Sequence, residues 1–368
     1  DETVATWGSP GFGGDSSFMQ EQLVEVQDIF SSEGAFAALK RDGSVVTWGH
    51  RDYGGDSSCV EELLSHGVVH VHAAKAAFAA LKDDGSVVTW GEESRGGNSA
   101  GVRDLLASGV RRIFSTGRAF AAVKSDGSVV TWGDPRYGGN CNEVRGRFVH
   151  GVQDVYSTDG AFAAVLADGS VVTWGHPKFG GDSRALQETL AGIRQRVQVC
   201  CSSGAMAVLL CEEGSVLAWG DRDAGGDASA FRSQLGSGVH ELYATSSAFA
   251  ALREGGQVVA WGRRTHGGDC LLHRSQLASG VRRVFATDGA FSALKDDGSV
   301  VTWGHYMFGG VHPTVETQLR SGVRHIYTAM AAFAAVKDDG SVVVWGNQEY
   351  GGANGEASIA LQGSSAEK

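Results

Sequence analysis

The 368-residue sequence contains very little proline, no basic run and no long apolar segment. Four prolines are too few for a proline-rich linker, and no apolar run approaches the ~20 residues that a membrane-spanning helix needs. The net charge of −11 argues against non-specific binding to a phosphate backbone. We therefore expect no nucleic-acid partner and no transmembrane segment, while peripheral membership of a membrane complex stays open.

Cysteine pairs with metal-ligand or redox spacing are also missing, because the six cysteines include no C-x-x-C pair. The cysteines are Cys59, Cys141, Cys200, Cys201, Cys211 and Cys270. Free thiols in a reducing compartment are the simplest interpretation, with a vicinal Cys200–Cys201 disulfide or a metal site as alternatives. No signal peptide is visible, so an intracellular protein is favoured. The sequence begins at Asp1, which leaves open a removed organelle-targeting leader.

Glycine, in contrast, is very abundant, with 54 residues. Many glycines and few prolines indicate many tight turns, as an all-β repeat protein requires. The hydrophobic fraction of 42% is enough to bury a substantial core.

All nine tryptophans lie in a W-G pair and recur at spacings of 41, 42, 42, 42, 45, 42, 42 and 42 residues. They are Trp7, Trp48, Trp90, Trp132, Trp174, Trp219, Trp261, Trp303 and Trp345. This period leaves no room for an inserted domain. We predict one repeat domain over residues 1–352, with units ending near these tryptophans, and a flexible tail over residues 353–368.

Each unit predicts a three-stranded antiparallel meander. Residues 281–310, V-R-R-V-F-A-T-D-G-A-F-S-A-L-K-D-D-G-S-V-V-T-W-G-H-Y-M-F-G-G, contain an alternating strand, a strand of small apolar residues and a β-branched strand. The Asp-Gly before the third strand predicts a type I′ hairpin with positive φ at both central residues. Complete triplets cover about 26–48, 68–90, 110–132, 152–174, 197–219, 239–261, 281–303 and 323–345.

A glycine pair and a short helical pattern link successive meanders. Apolar residues four apart, such as Val60 and Leu64, predict one or two helical turns packed under the sheet. The fifth unit deviates, with extra residues near its start and in its hairpin, and with Met206 in place of the recurrent phenylalanine.

The sequence therefore predicts an all-β fold with short linking helices, a β-propeller of about eight three-stranded blades. A ninth W-G strand, Val4 to Gly8, stands alone. Because the last unit already has its own W-G strand, an open superhelical repeat array remains the alternative to a closed ring.

The recurring A-L-K-x-D-G-S-V-V-T-W-G-x-x-x-x-G-G resembles the regulator-of-chromosome-condensation (RCC-type) repeat over nearly the whole chain. The resemblance implies a β-propeller, usually of seven blades. The short units are more similar to propeller-type bacterial β-lactamase inhibitor proteins, which use three-stranded blades. The chain departs from the family pattern in its glycine pair, where G-Q is usual, and in A-F, where a histidine is usual.

Family activities do not follow from the resemblance. Guanine-nucleotide exchange in the family depends on an inserted β-wedge, for which a spacing of at most 45 residues leaves no room. Plant UV-B photoreceptors of the family use a G-W-R-H-T motif, which is absent here. Both activities are less favoured than a binding function, and the tryptophans are predicted to be one core anchor per blade.

Several motifs that suggest chemistry have simpler interpretations. The aspartates after the glycine pair could form a carboxylate ring for cations, but turn capping explains them, and their Asn counterparts, equally well. They are Asp15, Asp56, Asp182, Asp227 and Asp269.

Gly-Asp-Ser is similar to a lipase nucleophile block, but no D-x-x-H follows it. The residue after W-G varies between His50, Glu92 and Asn347, which indicates a solvated loop. We predict no catalytic residue, no cofactor and no metal site.

The loops after W-G vary most and are rich in Arg, Tyr and Phe, residue types that are enriched in binding hot spots. We predict a non-enzymatic scaffold, or a subunit of a larger assembly, that binds a protein partner through these loops. A lectin-like propeller that binds a carbohydrate or small ligand is the alternative. A structural role for the aromatic residue five positions after each Trp is equally open. The candidate residues are His50, Arg51, Tyr53, Arg136, Tyr137, Lys178, Phe179, Arg222, Arg263, Arg264, Tyr306, Phe308 and Tyr350.

Overall fold

Eight three-stranded antiparallel sheets follow one another along the chain in the computed structural model, which describes residues 3–310 and 315–352. In every sheet the strand order is the chain order, and the middle strand pairs with both others. The predicted eight meanders and the propeller-like repeat fold are thereby confirmed. We number these sheets as blades 1 to 8. Closure of the blades into a ring stays a prediction, and the predicted tail over 353–368 lies outside the described residues.

The first four blades contain twelve strands. They are β1 Val26–Ser31, β2 Ala35–Lys40, β3 Val45–Gly49, β4 Val68–Ala73, β5 Ala77–Lys82, β6 Val87–Gly91, β7 Val110–Ser115, β8 Ala119–Lys124, β9 Val129–Gly133, β10 Val152–Ser157, β11 Ala161–Leu166 and β12 Val171–Gly175.

The last four blades contain another twelve strands. They are β13 Val197–Cys201, β14 Ala205–Leu210, β15 Ser215–Gly220, β16 Val239–Ala244, β17 Ala248–Arg253, β18 Gln257–Gly262, β19 Val281–Ala286, β20 Ala290–Lys295, β21 Val300–Gly304, β22 Val323–Thr328, β23 Ala332–Lys337 and β24 Val342–Gly346.

Short helices lie between the strands, and most of them are single 3₁₀ turns. After each W-G there is one turn: Pro10–Phe12, Arg51–Tyr53, Glu93–Arg95, Pro135–Tyr137, Pro177–Phe179, Arg222–Ala224, Arg264–His266, Tyr306–Phe308 and Gln348–Tyr350. The linking 3₁₀ segments are Ser17–Met19, Ser58–Val60, Ala100–Leu106, Arg145–His150, Arg184–Leu186, Ser229–Phe231, Leu271–His273 and Gln318–Arg320, with Glu254–Gly256 in a hairpin. The α-helices are α1 Glu61–Leu64, α2 Gln187–Gly192 and α3 Arg232–Leu235.

The linking turns bury an apolar residue, as predicted: Leu64, Leu106, Leu190 and Leu235 are all buried. Among the described residues, no helix is long and apolar enough to cross a membrane.

The chain divides into two compact units, Asp1–Arg194 with blades 1 to 4 and Gln195–Lys368 with blades 5 to 8. Within each unit, the middle strand of one blade packs against the face of the next blade that carries its buried tryptophan and phenylalanine. In the first unit, Ala77, Ala79 and Leu81 of β5 contact Phe120 and Trp132 of blade 3. The small alanines allow this close approach, which explains why the middle strand is apolar on both faces.

The sequence predicted that apolar and polar residues alternate along the first strand of each blade. This prediction needs a correction, because seven blades carry a β-bulge in that strand. In β19 the register shifts between Val281 and Arg283. Val281 and Val284 are both buried, with two exposed arginines between them. The extra residue of a bulge brings both valines to the same face. Blade 5 shows no such shift, consistent with its deviant sequence.

The predicted type I′ hairpin at Asp-Gly is wrong. In blade 1, Gly43 N–H donates to Lys40 O at 3.0 Å and Lys40 N–H donates to Ser44 O at 2.9 Å. Gly43 has φ of 79°, whereas Asp42 is not among the positive-φ residues. This is a three-residue hairpin, a type I turn followed by one left-handed glycine. The Asp42 carboxylate accepts the Ser44 N–H at 2.9 Å, so the aspartate caps the turn.

The tryptophans join consecutive blades. In blades 1 to 4 and 6 to 8 the indole Nε1–H donates to the carbonyl of the first glycine of the preceding glycine pair, at 2.9–3.1 Å. The pairs are Trp48–Gly13, Trp90–Gly54, Trp132–Gly96, Trp174–Gly138, Trp261–Gly225, Trp303–Gly267 and Trp345–Gly309. Each of these indoles also stacks on the phenylalanine of its own middle strand, as Trp132 does on Phe120 at 5.2 Å between ring centroids.

Trp7 is the exception among the nine tryptophans, because its side chain is 84% exposed. The predicted ninth strand over Val4 to Gly8 is wrong, since these residues have no strand partner. A strand needs a neighbour to satisfy its backbone, and the W-G sequence alone does not provide one. The prediction of one core anchor per blade is confirmed for the eight tryptophans that lie in blades.

The six cysteines are free thiols. Burial raises the pKa of the Cys200 thiol to about 12 and also raises the pKa of Cys201. Both side chains are therefore protonated and unreactive at neutral pH, whereas Cys59 and Cys211 are exposed.

Replacing Trp132 with Phe tests the contact between blades. The variant loses the indole N–H and leaves the buried Gly96 carbonyl without its donor, so we expect destabilisation by about 2–4 kcal/mol. The matched control is Trp7→Phe, which should change stability by less than about 0.5 kcal/mol because Trp7 is exposed. Urea unfolding followed by circular dichroism measures both, and equal effects would contradict this assignment.

Glu25 is the one non-glycine residue with positive φ among the described residues, at 56°. It precedes β1, and glycines occupy the equivalent position before six other first strands, as Gly67 does before β4 with φ of 73°. The carbonyl at this position accepts a hairpin N–H in both blades, from Arg41 and from Asp83. This hydrogen bond requires the left-handed backbone whichever residue occupies the position. A glutamate is strained there because, unlike glycine, it has a Cβ that crowds the carbonyl.

Glu25→Gly should consequently stabilise the chain, by about 1 kcal/mol. Glu21→Gly is the control, because Glu21 is exposed and has ordinary φ, so its replacement should be neutral or slightly destabilising. The melting temperatures of the two variants decide the matter. A Glu25→Gly chain that melts below the parent would show that Glu25 is not strained.

Candidate binding rim

In every blade, the turn after W-G is attached to the turn between the first and second strands of that blade. In blade 4, His176 N–H donates to Gly160 O at 2.9 Å, and Thr158 Oγ1 donates to Phe179 O at 2.9 Å. Thr158 Oγ1 also accepts the N–H groups of Gly160 and Ala161. The same clamp links Ser32 with Tyr53, Thr116 with Tyr137, Ser202 with Ala224, Thr245 with His266 and Thr287 with Phe308. We call the surface formed by these two turns in each blade the rim.

In blades 1 to 5, 7 and 8 the residue directly after W-G caps the 3₁₀ turn that follows it, whereas Arg263 of blade 6 makes no side-chain cap. His50 Nδ1 accepts the Asp52 N–H at 3.2 Å, and the side chains of Glu92 and Asn347 accept the equivalent N–H groups. His, Glu, Asp and Asn share an acceptor atom, which is why the position tolerates them all. The sequence predicted a solvated loop position here and missed this capping role, although the shared acceptor chemistry was a signal for it.

The aspartates after the glycine pair also cap turns, as predicted. Asp56 Oδ1 accepts the Ser58 N–H at 3.0 Å, and Asn98 and Asn140 do the same for the residue two positions on. The hydrogen bonds from Ser58 hold the pKa of Asp56 below its usual value. Among the described residues, no group of three His, Cys, Asp or Glu side chains could hold a metal ion.

The aromatic residues five positions after Trp are half-buried in most loops. Tyr53, Tyr137, Phe179 and Phe308 pack over the turn of their own or the adjacent blade. A Cβ added at Gly160 would lie 2.9 Å from the Phe179 ring and 3.1 Å from the Tyr137 ring. These four residues therefore support the loop, whereas Tyr350 is exposed.

The predicted basic residues are exposed on the rim. In the first unit these are Arg51, Arg136 and Lys178, and in the second unit Arg222, Arg263 and Arg264. Several form ion pairs within their own loop, namely Arg51–Asp56 at 3.3 Å, Arg222–Asp227 at 3.4 Å and Arg264–Asp269 at 2.9 Å. Pairs this exposed contribute roughly 0–1 kcal/mol, so the guanidinium groups remain available to a partner.

Arg118 is a rim residue that the sequence analysis missed. Its guanidinium lies 4.8 Å from the Tyr137 ring centroid and 4.0 Å from Asp134 Oδ2. Arg118 occupies the turn between β7 and β8, 14 residues before Trp132, so the loop pattern gave no signal for it. Met307, beside the predicted Tyr306, is exposed as well.

Two open clefts lie beside the rim loops, one in each unit. In the second unit, a cleft of about 400 Å³ is lined by Arg222, Arg263 and Arg264. In the first unit, a cleft of about 560 Å³ is lined by residues that include Arg147 and Arg184. The structure thus brings the three predicted arginines of the second unit together, while a small-ligand function stays a prediction.

Comparisons with known proteins find similarity at the level of solved structures. No protein-family model matches the chain, and a search of curated proteins finds no match. The chain is similar to the ectodomain of the receptor kinase ACR4 from Arabidopsis thaliana, at 15% identity over 91% of this chain and 97% of that one, with a TM-score of 0.37.

Two further solved structures are similar to the chain. Prp20p of Saccharomyces cerevisiae, which is yeast RCC1, shows 17% identity over 92% of this chain and 80% of that one, with a TM-score of 0.38. The computationally designed protein Ika8 shows 16% identity over 94% and 99% of the two chains, with a TM-score of 0.35. Similarity of this degree carries no argument about activity or partner.

Asp134 allows a test of the loop cap. Its carboxylate accepts the Arg136 N–H at 3.0 Å. Burial acts to raise the pKa of Asp134, but the hydrogen bonds from Arg136 and the charges of Arg136 and Arg118 outweigh it, so the pKa lies below its usual value. The resulting stabilisation is present above the unfolded pKa of 3.8 and is lost as pH falls through the folded value.

Asp134→Ala should therefore destabilise the chain by about 1 kcal/mol at neutral pH. Asp134→Asn keeps the cap, as Asn347 does in blade 8, and should cost less while removing this group's loss of stability as the pH falls below 3.8. Thermal unfolding at several pH values measures both variants. Equal costs at neutral pH would show that Asp134 acts through charge and not as a cap.

Proposed function

We propose that the chain is a non-enzymatic scaffold, or a subunit of a larger assembly, that binds a protein partner through the rim. The supporting observation is that the loops after W-G contain two kinds of side chain. In blades 1, 3, 4 and 7 the capping residue and the aromatic residue are occupied by contacts that hold the loop in place. The positions between them carry side chains that are exposed and held on an ordered backbone.

The chemistry of these exposed positions favours a protein surface as the partner. Arg51, Arg136 and Lys178 in the first unit, and Arg222 and Arg264 in the second, lie three or four residues after their tryptophans. Tyr306 and Met307 occupy the corresponding positions in blade 7. Arginine and tyrosine are enriched at interface hot spots, because they combine a large contact area with directed hydrogen bonds. An ordered loop also loses little conformational entropy on binding.

A triple charge reversal, Arg51→Glu with Arg136→Glu and Lys178→Glu, tests this surface. Arg51 and Arg136 lose exposed ion pairs with Asp56 and Asp134, so we expect stability to fall by roughly 1–2 kcal/mol. Each substitution removes a cation and adds an anion, so co-purification of the native partner should fall at least about tenfold. Quantitative mass spectrometry of the purified complex measures the loss. Undiminished co-purification of the folded variant would contradict a role for the rim of the first unit.

The matched control places the same three glutamates away from the rim. Arg103, Arg145 and Arg232 are exposed on the linking segments, so their reversal changes the net charge equally. Partner recovery should then be retained. Equal losses in both triple variants would show that overall charge, and not the rim, governs the association.

A further inference from the structure

Arg263 of blade 6 occupies the position that caps a turn in the other seven blades. Histidine, glutamate, aspartate or asparagine fills this position in those blades, and its side chain accepts the N–H two residues on. An arginine has five N–H donors and no acceptor, so Arg263 makes no such bond. A residue that departs from a local rule obeyed elsewhere in a fold is typical of a functional position.

Arg263 lines the cleft of about 400 Å³ in the second unit, together with Arg222 and Arg264. One wall of this cleft is the segment after the tryptophan of blade 5, and the other wall is the loop of blade 6. In the cleft of the first unit, Pro135 and Pro177 occupy the positions of Arg222 and Arg264. The repeat therefore does not require the three arginines, and they are a particular feature of this cleft.

The guanidinium donors of the cleft are only partly used within the chain. Arg222 contacts Asp227 through Nε alone, at 3.4 Å. Arg264 contacts Asp269 Oδ2 through Nε and Nη2, at 3.0 and 2.9 Å. Arg263 is exposed and forms no ion pair with any described residue. Terminal nitrogens of all three arginines therefore remain for charge-assisted hydrogen bonds to a carboxylate.

Leu271 and Leu272 adjoin these arginines and are 68% and 96% exposed. Asp269 links the two groups, because its Oδ2 contacts Arg264 while its Oδ1 accepts the Leu271 N–H at 2.9 Å. Adjacent uncovered leucines beside charged groups are typical of a surface that a partner covers. In the segments after blades 1 to 5, the position of Leu272 carries a small or charged residue: Cys59, Gly101, Glu143, Ala185 and Ala230.

We propose that Arg222, Arg263, Arg264, Leu271 and Leu272 bind an acidic segment of a protein partner, in which a carboxylate lies next to a large apolar side chain. We call these five residues the acid-binding surface. The inference rests on the proposed function of the rim and specifies the chemistry of the partner at the second unit. The guanidinium groups would orient the carboxylate, and the leucines would cover the apolar side chain.

The charges around this surface favour a protein segment over a phosphate-rich ligand or a lipid surface. Asp223 and Asp227 line the same cleft, and Asp269 lies beside it. These carboxylates repel a ligand of high negative charge density, whereas one side-chain carboxylate needs only one or two guanidinium groups. The net charge of −11 disfavours an anionic membrane in the same way. The leucines provide apolar contact area for a neighbouring side chain.

Selection on the 368-residue chain from a phage-displayed library of random peptides, about twelve residues long, tests this chemistry. We expect the recovered peptides to be enriched in Asp or Glu next to Leu, Ile or Phe. Fluorescence anisotropy then measures the affinity of the labelled peptides. Arg263→Asn and Leu272→Ser should each weaken binding at least about tenfold. A selection that yields no such peptide, or peptides that bind both variants as tightly as the parent, would overturn the proposal.

The Arg263→Asn variant also separates binding from folding. Asparagine restores the cap that Asn347 provides in blade 8, so the melting temperature should stay equal or rise while peptide binding falls. A lower melting temperature with unchanged binding would show that Arg263 is structural. The matched control is Arg103→Ala with Leu105→Ala, an exposed pair on a linking segment of the first unit, which should bind the peptides like the parent.

Two further measurements distinguish the remaining outcomes. Native-partner recovery that is unchanged by Arg263→Asn and Leu272→Ser, but lost in the triple charge reversal of the first unit, would overturn the acid-binding surface and leave the proposed function standing. Phosphatidylcholine vesicles with about one third phosphatidylserine should not bind the chain. Vesicle binding that Leu272→Ser abolishes would assign the surface to a membrane and overturn the proposal.

Discussion

The hydrogen bond between an indole N–H and the carbonyl of a preceding glycine organises this repeat. A buried carbonyl needs a donor, and the tryptophan of the next blade provides it while stacking on its own phenylalanine. The glycine has positive φ, and the phenylalanine ring lies where its side chain would be, as at Gly96 and Phe120. One contact therefore explains why tryptophan, phenylalanine and the first glycine recur together.

The same contact anchors each rim loop at both of its ends. A loop such as residues 49–54 begins beside Trp48, which bonds to Gly13, and ends at Gly54, which accepts from Trp90. Two different tryptophans thus anchor one short loop, and the cap at His50 and the ring of Tyr53 hold its interior. Only the side chains between these anchors are free to differ. This arrangement allows Arg51 to be exposed on an ordered backbone, and it is the physical basis for the proposed binding rim.

Repeat proteins of this kind derive their stability from contacts between neighbouring units. Ile29 of blade 1 illustrates this dependence, because it is 42% exposed, whereas its counterparts in blades 2 to 8 are buried. Residues 7–14 supply the glycine carbonyl for Trp48 but no strand to cover Ile29. Glu25, which has glycine counterparts before six other first strands, lies directly before β1.

Much of the architecture could be predicted, because strand propensity, the 42-residue period and the apolar middle strand are local features. The turn type could not be predicted, because Asp-Gly is compatible with two kinds of hairpin turn. The register of β2 and β3 selects the turn with a single left-handed glycine. For the rim, the sequence identified the variable loops and their arginines. It missed Arg118, because that residue reaches Tyr137 from a different turn.

By itself, the sequence determined the eight meanders, their order and the loops that vary. The tertiary structure decided which tryptophans are buried: Trp7 has the same W-G sequence as Trp48, but among the described residues no glycine carbonyl or phenylalanine strand lies against it. Burial of a repeated residue depends on the neighbouring unit, which a local pattern does not specify.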